Sequence, residues 1–84
     1  MSDRLKIEEI QYGGRMRTVK VSGFRPGELS ELKSMEHRES EEKLMDMLDT
    51  RNDGIGTRWA CGYGVYGIWY DNEAAYINVG NSSD

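Results

Sequence analysis

Apolar and polar residues alternate over the first quarter of the chain. The apolar positions lie on either side of a Gly13-Gly14 pair: Leu5, Ile7, Ile10 and Tyr12 before it, Met16, Val19, Val21 and Phe24 after it. Alternation is typical of strands, and a Gly-Gly pair supplies the positive φ angles that a tight hairpin turn demands. The pattern therefore predicts a β-hairpin over residues 4–24, with a bulge at Glu8-Glu9, where the alternation slips.

The apolar spacing changes from two to three and four between residues 28 and 50. The repeating positions are Leu29, Leu32 and Met35, then Leu44, Met45, Met47 and Leu48. This spacing is typical of helices. Because residues 36–43 contain no strongly apolar side chain, we expect a short helical turn near 28–35 and a main helix near 40–50, with Ser40 as its N-cap. One continuous helix is the alternative, and Asn52-Asp53-Gly54 should end the helix in either case.

The last third of the chain predicts two further strands. The first covers 57–70, a turn follows at Asp71-Asn72, and the second covers 74–79. Alternation puts Cys61, Tyr63, Val65 and Trp69 on one face of the third strand and Tyr66, Ile68 and Tyr70 on the other. The order ββαββ predicts an α+β fold: a single small domain over 1–84, with an antiparallel four-stranded sheet packed on one main helix.

Size and composition narrow the class of protein. The chain has 84 residues, of which 37% are hydrophobic and 31% charged, which suits one soluble globular domain. No apolar run approaches the roughly 20 residues that cross a bilayer, and residues 1–10 lack the apolar core of a signal peptide. A single cysteine excludes a disulfide framework. We expect a cytoplasmic protein without a membrane partner.

A glycine pattern raises the question of nucleotide binding. Gly62-x-Gly64-x-x-Gly67 matches the spacing of a phosphate-binding loop, but such a loop needs a helix after its last glycine. The residues that follow are strand-like, so we expect these glycines to relieve crowding among aromatic rings. Cys61, expected on a buried face, and His37 form the only candidate nucleophile and base. We therefore expect no catalytic residue, no metal site and no cofactor.

The charge and the aromatic residues point to a protein partner. Residues 28–53 carry nine acidic and four basic side chains, including the acidic candidates Glu36, Glu39, Glu41, Glu42 and Asp46. If a helix covers one sheet face, Tyr66, Tyr70 and Tyr76 can stand on the other as anchors of an interface. Exposed rings also stack nucleic-acid bases, but residues 59–84 contain no lysine or arginine, so direct nucleic-acid binding is disfavoured.

The segment DTRNDGIGTRWACGYGVYGIWYDNEAAYINVGNSSD resembles the C-terminal part of short uncharacterised proteins carried on bacterial mobile elements. In size and charge the chain is similar to phage-encoded inhibitors such as anti-CRISPR proteins, which occupy a surface of a larger nuclease. The acidic segment and the aromatic strand favour a non-enzymatic protein-binding module of this inhibitor type. We expect its acidic residues 36–53 to imitate nucleic-acid phosphates against a basic groove, with the tyrosines as anchors. Two alternatives are a nucleic-acid-binding protein that uses the basic hairpin residues Arg15, Arg17, Lys20 and Arg25, and a structural homodimer that pairs through the tyrosine face.

Overall fold

The computed structural model describes residues 4–13 and 16–80, and for residues 11–13 it describes the backbone alone. The chain folds as two β-hairpins with the helices between them. The elements are β1 (Lys6–Gly13), β2 (Met16–Ser22), α1 (Glu28–Ser34), α2 (His37–Arg51), α3 (Ile55–Thr57), a π-helix (Arg58–Tyr63), β3 (Val65–Tyr70) and β4 (Ala75–Gly80). The four strands form one antiparallel sheet in the order β1-β2-β4-β3. The α+β fold with one main helix is confirmed.

Both edge strands of the sheet contain an irregularity in register. Between β1 and β2 the register shifts from Glu9 to Gln11, which leaves Ile10 as the extra residue and half exposed. The predicted bulge is therefore confirmed, one position later than the sequence indicated. Of the predicted Gly13-Gly14 turn, Gly14 lies outside the described residues. Between β3 and β4 the shift falls at Tyr66, and no feature of the sequence predicted it.

The helical segment is divided in two, as predicted, and the single continuous helix is wrong. Met35 and Glu36 have extended backbone angles, so α1 ends before them and α2 begins after them. The main helix begins at His37, three residues earlier than Ser40, which is buried inside the helix and makes no cap. The Arg51 guanidinium donates to both carboxylate oxygens of Glu28, which ties the end of α2 to the start of α1. The pKa of Glu28 is lowered, mainly by this bond to Arg51 and also by the hydrogen bond that the carboxylate accepts from the backbone N–H of Arg25.

The first half of the predicted third strand is wrong, because residues 55–63 are helical. After α2, Asp53 and Gly54 both adopt positive φ angles, of 58° and 80°, and turn the chain back along α2. The Asp49 carboxylate then accepts the backbone N–H and the hydroxyl of Thr57, which holds the start of the new helical segment. The alternation and the aromatic content of residues 57–70 do not indicate this contact between Asp49 and Thr57. The third strand is confined to Val65–Tyr70.

The hydrophobic core lies between the helices and one face of the sheet. It contains Leu5, Val19, Val21, Leu32, Leu44, Met47, Leu48, Trp59, Ile68, Ala75, Ile77 and Val79. On β4, Ala75, Ile77 and Val79 are fully buried against the helices. The opposite side of the sheet, which faces away from the helices, is called the outer face below.

Candidate functional site

The solvent side of α2 gathers three of the five predicted acidic residues. Glu39, Glu42 and Asp46 are exposed, and they are spaced three and four positions apart, so the Cβ atoms of successive members lie about 5–6 Å from each other. Leu44, Met47 and Leu48 fill the buried side of the same helix. We call Glu39, Glu42 and Asp46 the acidic face of α2. Within residues 4–13 and 16–80, none of the three makes an ion pair.

The other two predicted acidic residues lie at the margins of this face. Glu36 is exposed in the two-residue link before the helix. Glu41 is half-buried on the flank of α2 beside Tyr70, whose pKa its charge helps to raise. The structure therefore supports three of the five residues as a common surface.

Two of the basic side chains of α2 are turned toward α1. The Lys43 ammonium lies 3.2 Å from a carboxylate oxygen of Glu31, and Arg51 is paired with Glu28. Arg38, one turn before Glu42, is the exposed cation nearest in sequence to the acidic face. Because the α1 pairs hold Lys43 and Arg51, the solvent side of the helix carries more negative charge than its composition alone indicates.

The outer face of the sheet carries a row of side chains across all four strands. Pairing aligns Glu8 with Lys20, Lys20 with Tyr76, and Tyr76 with Trp69. The Trp69 and Tyr76 rings are stacked, with centroids 5.7 Å apart and planes within 10° of parallel. Trp69 is 45% exposed, so a large part of the pair contacts solvent. In the adjacent row the Thr18 hydroxyl donates to the side-chain oxygen of Asn78 over 3.0 Å.

The Tyr76 side chain is fixed by the turn that joins β3 to β4. Its hydroxyl donates to one Asp71 oxygen over 2.7 Å, while the other Asp71 oxygen accepts the backbone N–H groups of Glu73 and Ala74. These bonds, with that of Tyr76 the largest cause, lower the pKa of Asp71, and the same bond raises the pKa of Tyr76. The turn therefore holds the ring against Trp69 in one orientation.

The expected grouping of Tyr66, Tyr70 and Tyr76 on one face is wrong for Tyr70. Its ring packs against the hydrophobic core, on the helix side of the sheet, and its hydroxyl is hydrogen-bonded to Ser40 of α2. The bulge at Tyr66 is the reason, because the extra residue reverses the alternation after Val65 and turns Trp69 outward. Tyr66 itself is 66% exposed at the end of the sheet. The outward ring that the sequence prediction missed is Trp69.

The Ser40–Tyr70 bond joins α2 to the edge strand of the sheet. Replacing Ser40 by alanine or Tyr70 by phenylalanine is expected to lower the free energy of unfolding by about 1 kcal/mol each. The double substitution should cost about as much as one of them, because the two groups share one bond. Urea denaturation of all four proteins measures this coupling.

The matched control is Tyr66→Phe, which removes an exposed hydroxyl and should change stability by less than about 0.5 kcal/mol. Strictly additive losses in the double variant would contradict the prediction. Burial, the largest cause, raises the pKa of Tyr70 above its ordinary value of 10.0. Its contribution to stability is therefore complete below about pH 10 and is lost as the pH rises through the folded-state value.

The basic residues of the hairpin do not form one surface. Lys20 lies on the outer face, whereas Arg17 lies on the helix side, paired with Glu9 at 2.8 Å and placed 5.4 Å from the centre of the Tyr63 ring. Arg25 lies beyond the end of β2, and Arg15 lies outside the described residues. The arrangement gives no support to a nucleic-acid site on the hairpin.

The candidate nucleophile also lies elsewhere than predicted. Cys61 is exposed on the π-helix, so the expectation that it is buried in a strand is wrong. His37 is the exposed first residue of α2. No group of three or more histidine, cysteine, aspartate or glutamate side chains suited to a metal ion is found in the described part of the chain. Gly62-x-Gly64-x-x-Gly67 spans the end of the π-helix and β3, so a strand follows it.

Comparison of the chain with protein-family models, with curated proteins and with solved structures finds no match. None of the helices among residues 4–13 and 16–80 combines the length and the apolar character that crossing a membrane requires.

Proposed function

We propose that this protein is a non-enzymatic, cytoplasmic binding module that docks the acidic face of α2 on a basic nucleic-acid-binding surface of a larger protein. In this role it is an inhibitor of the mobile-element or phage type, comparable to anti-CRISPR proteins. The observation that carries the proposal is the set of exposed carboxylates on one side of a helix, Glu39, Glu42 and Asp46, without ion-pair partners among the described residues.

The geometry of α2 supports recognition of a basic groove. A helix that is held on its other side by buried leucines presents its carboxylates at fixed spacing, so little backbone freedom is lost on binding. Carboxylates that meet arginine or lysine across an interface form charge-assisted hydrogen bonds. Negative charge concentrated on one face also increases the rate of encounter with a positive surface.

The acidic face and the outer face of the sheet are on opposite sides of the molecule. A partner that binds α2 with one flat surface therefore does not reach the Trp69–Tyr76 pair. The acidic face of α2 and Tyr76 therefore cannot serve as parts of one flat interface, whereas Tyr70 lies beside Glu41 on the helix side. Of the two faces, we assign partner binding to α2, because only its charge specifies the chemistry of the partner.

Reversing the charge of the acidic face is expected to weaken partner binding without unfolding the protein. The triple variant Glu39→Lys, Glu42→Lys, Asp46→Lys should bind a basic nuclease partner at least about tenfold more weakly, mainly through slower association, because steering is lost. Calorimetry and surface-based kinetics against a panel of nucleic-acid-binding proteins measure the affinity and the association rate. Circular dichroism checks that the variant is folded.

A matched control tells whether the position of the charge or the net charge of the protein determines binding. Glu73→Lys and Glu42→Lys change the net charge equally, but Glu73 lies in the exposed β3–β4 turn, away from α2. Only Glu42→Lys should weaken the complex. If no protein of the panel binds, or if the triple variant binds as tightly as the original chain, the proposal fails.

A further inference from the structure

The outer face of the sheet is uncovered among the described residues, and it is unlike the rest of the surface. The Trp69–Tyr76 pair lies on its β4–β3 half, near the turn that joins these strands, and Trp69 is 45% exposed. Met16, also 42% exposed, lies near one end of the same face, on β2. Tryptophan and tyrosine are the residues that contribute most to protein interfaces, because they bury a large area with few rotatable bonds.

The charges on this face are nearly balanced, in contrast to the acidic face of α2. Lys6 and Lys20 lie on the β1–β2 half, together with Glu8, whereas Asp71 and Glu73 lie at the β3–β4 turn. The whole chain has a net charge of −4. The outer face is therefore the side on which two copies can approach with the least repulsion, while their acidic helices point away from each other.

We propose that the outer face binds a second copy of this chain. The row across the sheet is self-complementary about a two-fold axis that runs along the strands between β2 and β4. Such an axis places β4 of one copy over β2 of the other, so that Lys20 meets the partner's Tyr76 ring. It also places Glu8 over the partner's Trp69, whose indole N–H can donate a hydrogen bond to the Glu8 carboxylate. A lysine over an aromatic ring is attractive, and an isologous interface uses each of these contacts twice.

The size of the face is typical of a transient dimer. Four strands about 4.8 Å apart and six residues rising about 3.3 Å each give a sheet of roughly 20 Å by 20 Å. Two such faces bury roughly 800–1,000 Å², which is below the range of stable protein complexes and within that of transient ones. The dimer is therefore weak, with a Kd of roughly 10–100 μM.

Analytical ultracentrifugation between about 5 μM and about 500 μM tests the proposal directly, because this range brackets the expected Kd. The unmodified chain should shift from monomer to dimer over this range. Trp69→Thr introduces a residue that favours strands and should raise the Kd about thirty-fold, as loss of an aromatic anchor does. Circular dichroism establishes that the variant is folded.

A second, exposed substitution makes the test independent of that variant's folding. Lys20→Glu removes the cation from the partner's Tyr76 ring and should weaken the dimer at least about fivefold. Its control, Lys33→Glu on α1, makes the same charge change on the helix side and should leave the dimer unchanged. A chain that stays monomeric at every concentration overturns the proposal, because the outer face then binds another molecule or none. Equal dimerisation of the chain and of Lys20→Glu also overturns it.

This inference does not rest on the proposed function. The triple substitution on α2 should weaken partner binding and leave the dimer intact, whereas Lys20→Glu should do the opposite. A loss of both properties in either variant would place partner binding and self-association on one surface, which contradicts the separation of the two faces.

Discussion

Replacing Gly56 with alanine is expected to lower the free energy of unfolding by about 3 kcal/mol or more. A β-carbon at this position would lie 2.1 Å from the carbonyl oxygen of Met45 and 2.9 Å from its carbonyl carbon. Both atoms belong to the backbone of α2, which cannot retreat because the neighbouring Leu44 is fully buried in the core. Either the turn after α2 or the helix itself must move. Urea denaturation followed by far-ultraviolet circular dichroism measures the loss.

The matched control is Gly62→Ala, a glycine of the same helical stretch. A β-carbon there meets nothing within 4 Å. Because alanine is a better helix residue than glycine, this variant should be unchanged or more stable by up to about 1 kcal/mol. The result would also show that the first glycine of the Gly62-x-Gly64-x-x-Gly67 pattern is not required for folding. Equal stability of Gly56→Ala and the unmodified chain would contradict the close approach of α3 to α2.

Replacing Asn52 with alanine is expected to lower the free energy of unfolding by about 2–4 kcal/mol. The Asn52 side chain is buried, and it binds the backbone of Leu5 twice: its oxygen accepts the Leu5 N–H over 3.0 Å, and its amide donates to the Leu5 carbonyl over 2.9 Å. These bonds join the end of α2 to the residue before β1, much as a neighbouring strand would. Alanine leaves a buried donor and a buried acceptor without partners, which costs more than the bonds contribute.

Asn72→Ala provides the comparison, because Asn72 is exposed and its oxygen accepts one bond from Lys33 at 3.3 Å. Its effect should stay within about 0.5 kcal/mol. Asn52→Asp is a second probe: it keeps the size of the side chain and the acceptor, but it sets an oxygen against the Leu5 carbonyl. It should therefore be as destabilising as alanine above the pKa of the carboxyl. Thermal and urea unfolding of the three variants and of the unmodified chain measure these effects. A loss of stability below about 1 kcal/mol for Asn52→Ala would show that the two bonds to Leu5 are not important for the fold.

Local patterns were sufficient to predict the elements that bury one side against the core and expose the other to solvent. The first hairpin, the division near Met35 and the strand predicted over 74–79 are examples. In each, the period of the apolar residues reflects one buried side and one exposed side, so the sequence carries the geometry directly. The acidic residues were predicted less well: the expected helix began near 40, so Glu39 was not placed on it, and Glu36 and Glu41 were not separated from the residues that share one side.

The segment 55–63 could not be predicted in this way. Its glycines and aromatic residues favour a strand. The contacts that hold it in a helix come from α2: Asp49 binds Thr57, and the backbone of Met45 packs closely against Gly56. Both α2 residues lie more than one helical turn earlier in the chain. Burial of Trp59 against the core then outweighs the local preference. Tertiary contacts of this kind leave no periodic signal.

The sequence by itself determined the ββαββ order and the split helix, because each follows from the spacing of neighbouring residues. Only the tertiary structure decided which rings the outer face presents. One extra residue at Tyr66 turns Tyr70 toward Ser40 and Trp69 toward solvent, and pairing of β2 with β4 brings Lys20 beside Tyr76 from 56 positions away. A bulge reverses every later side chain of a strand, and strand pairing joins distant segments, so neither outcome can be read from local alternation.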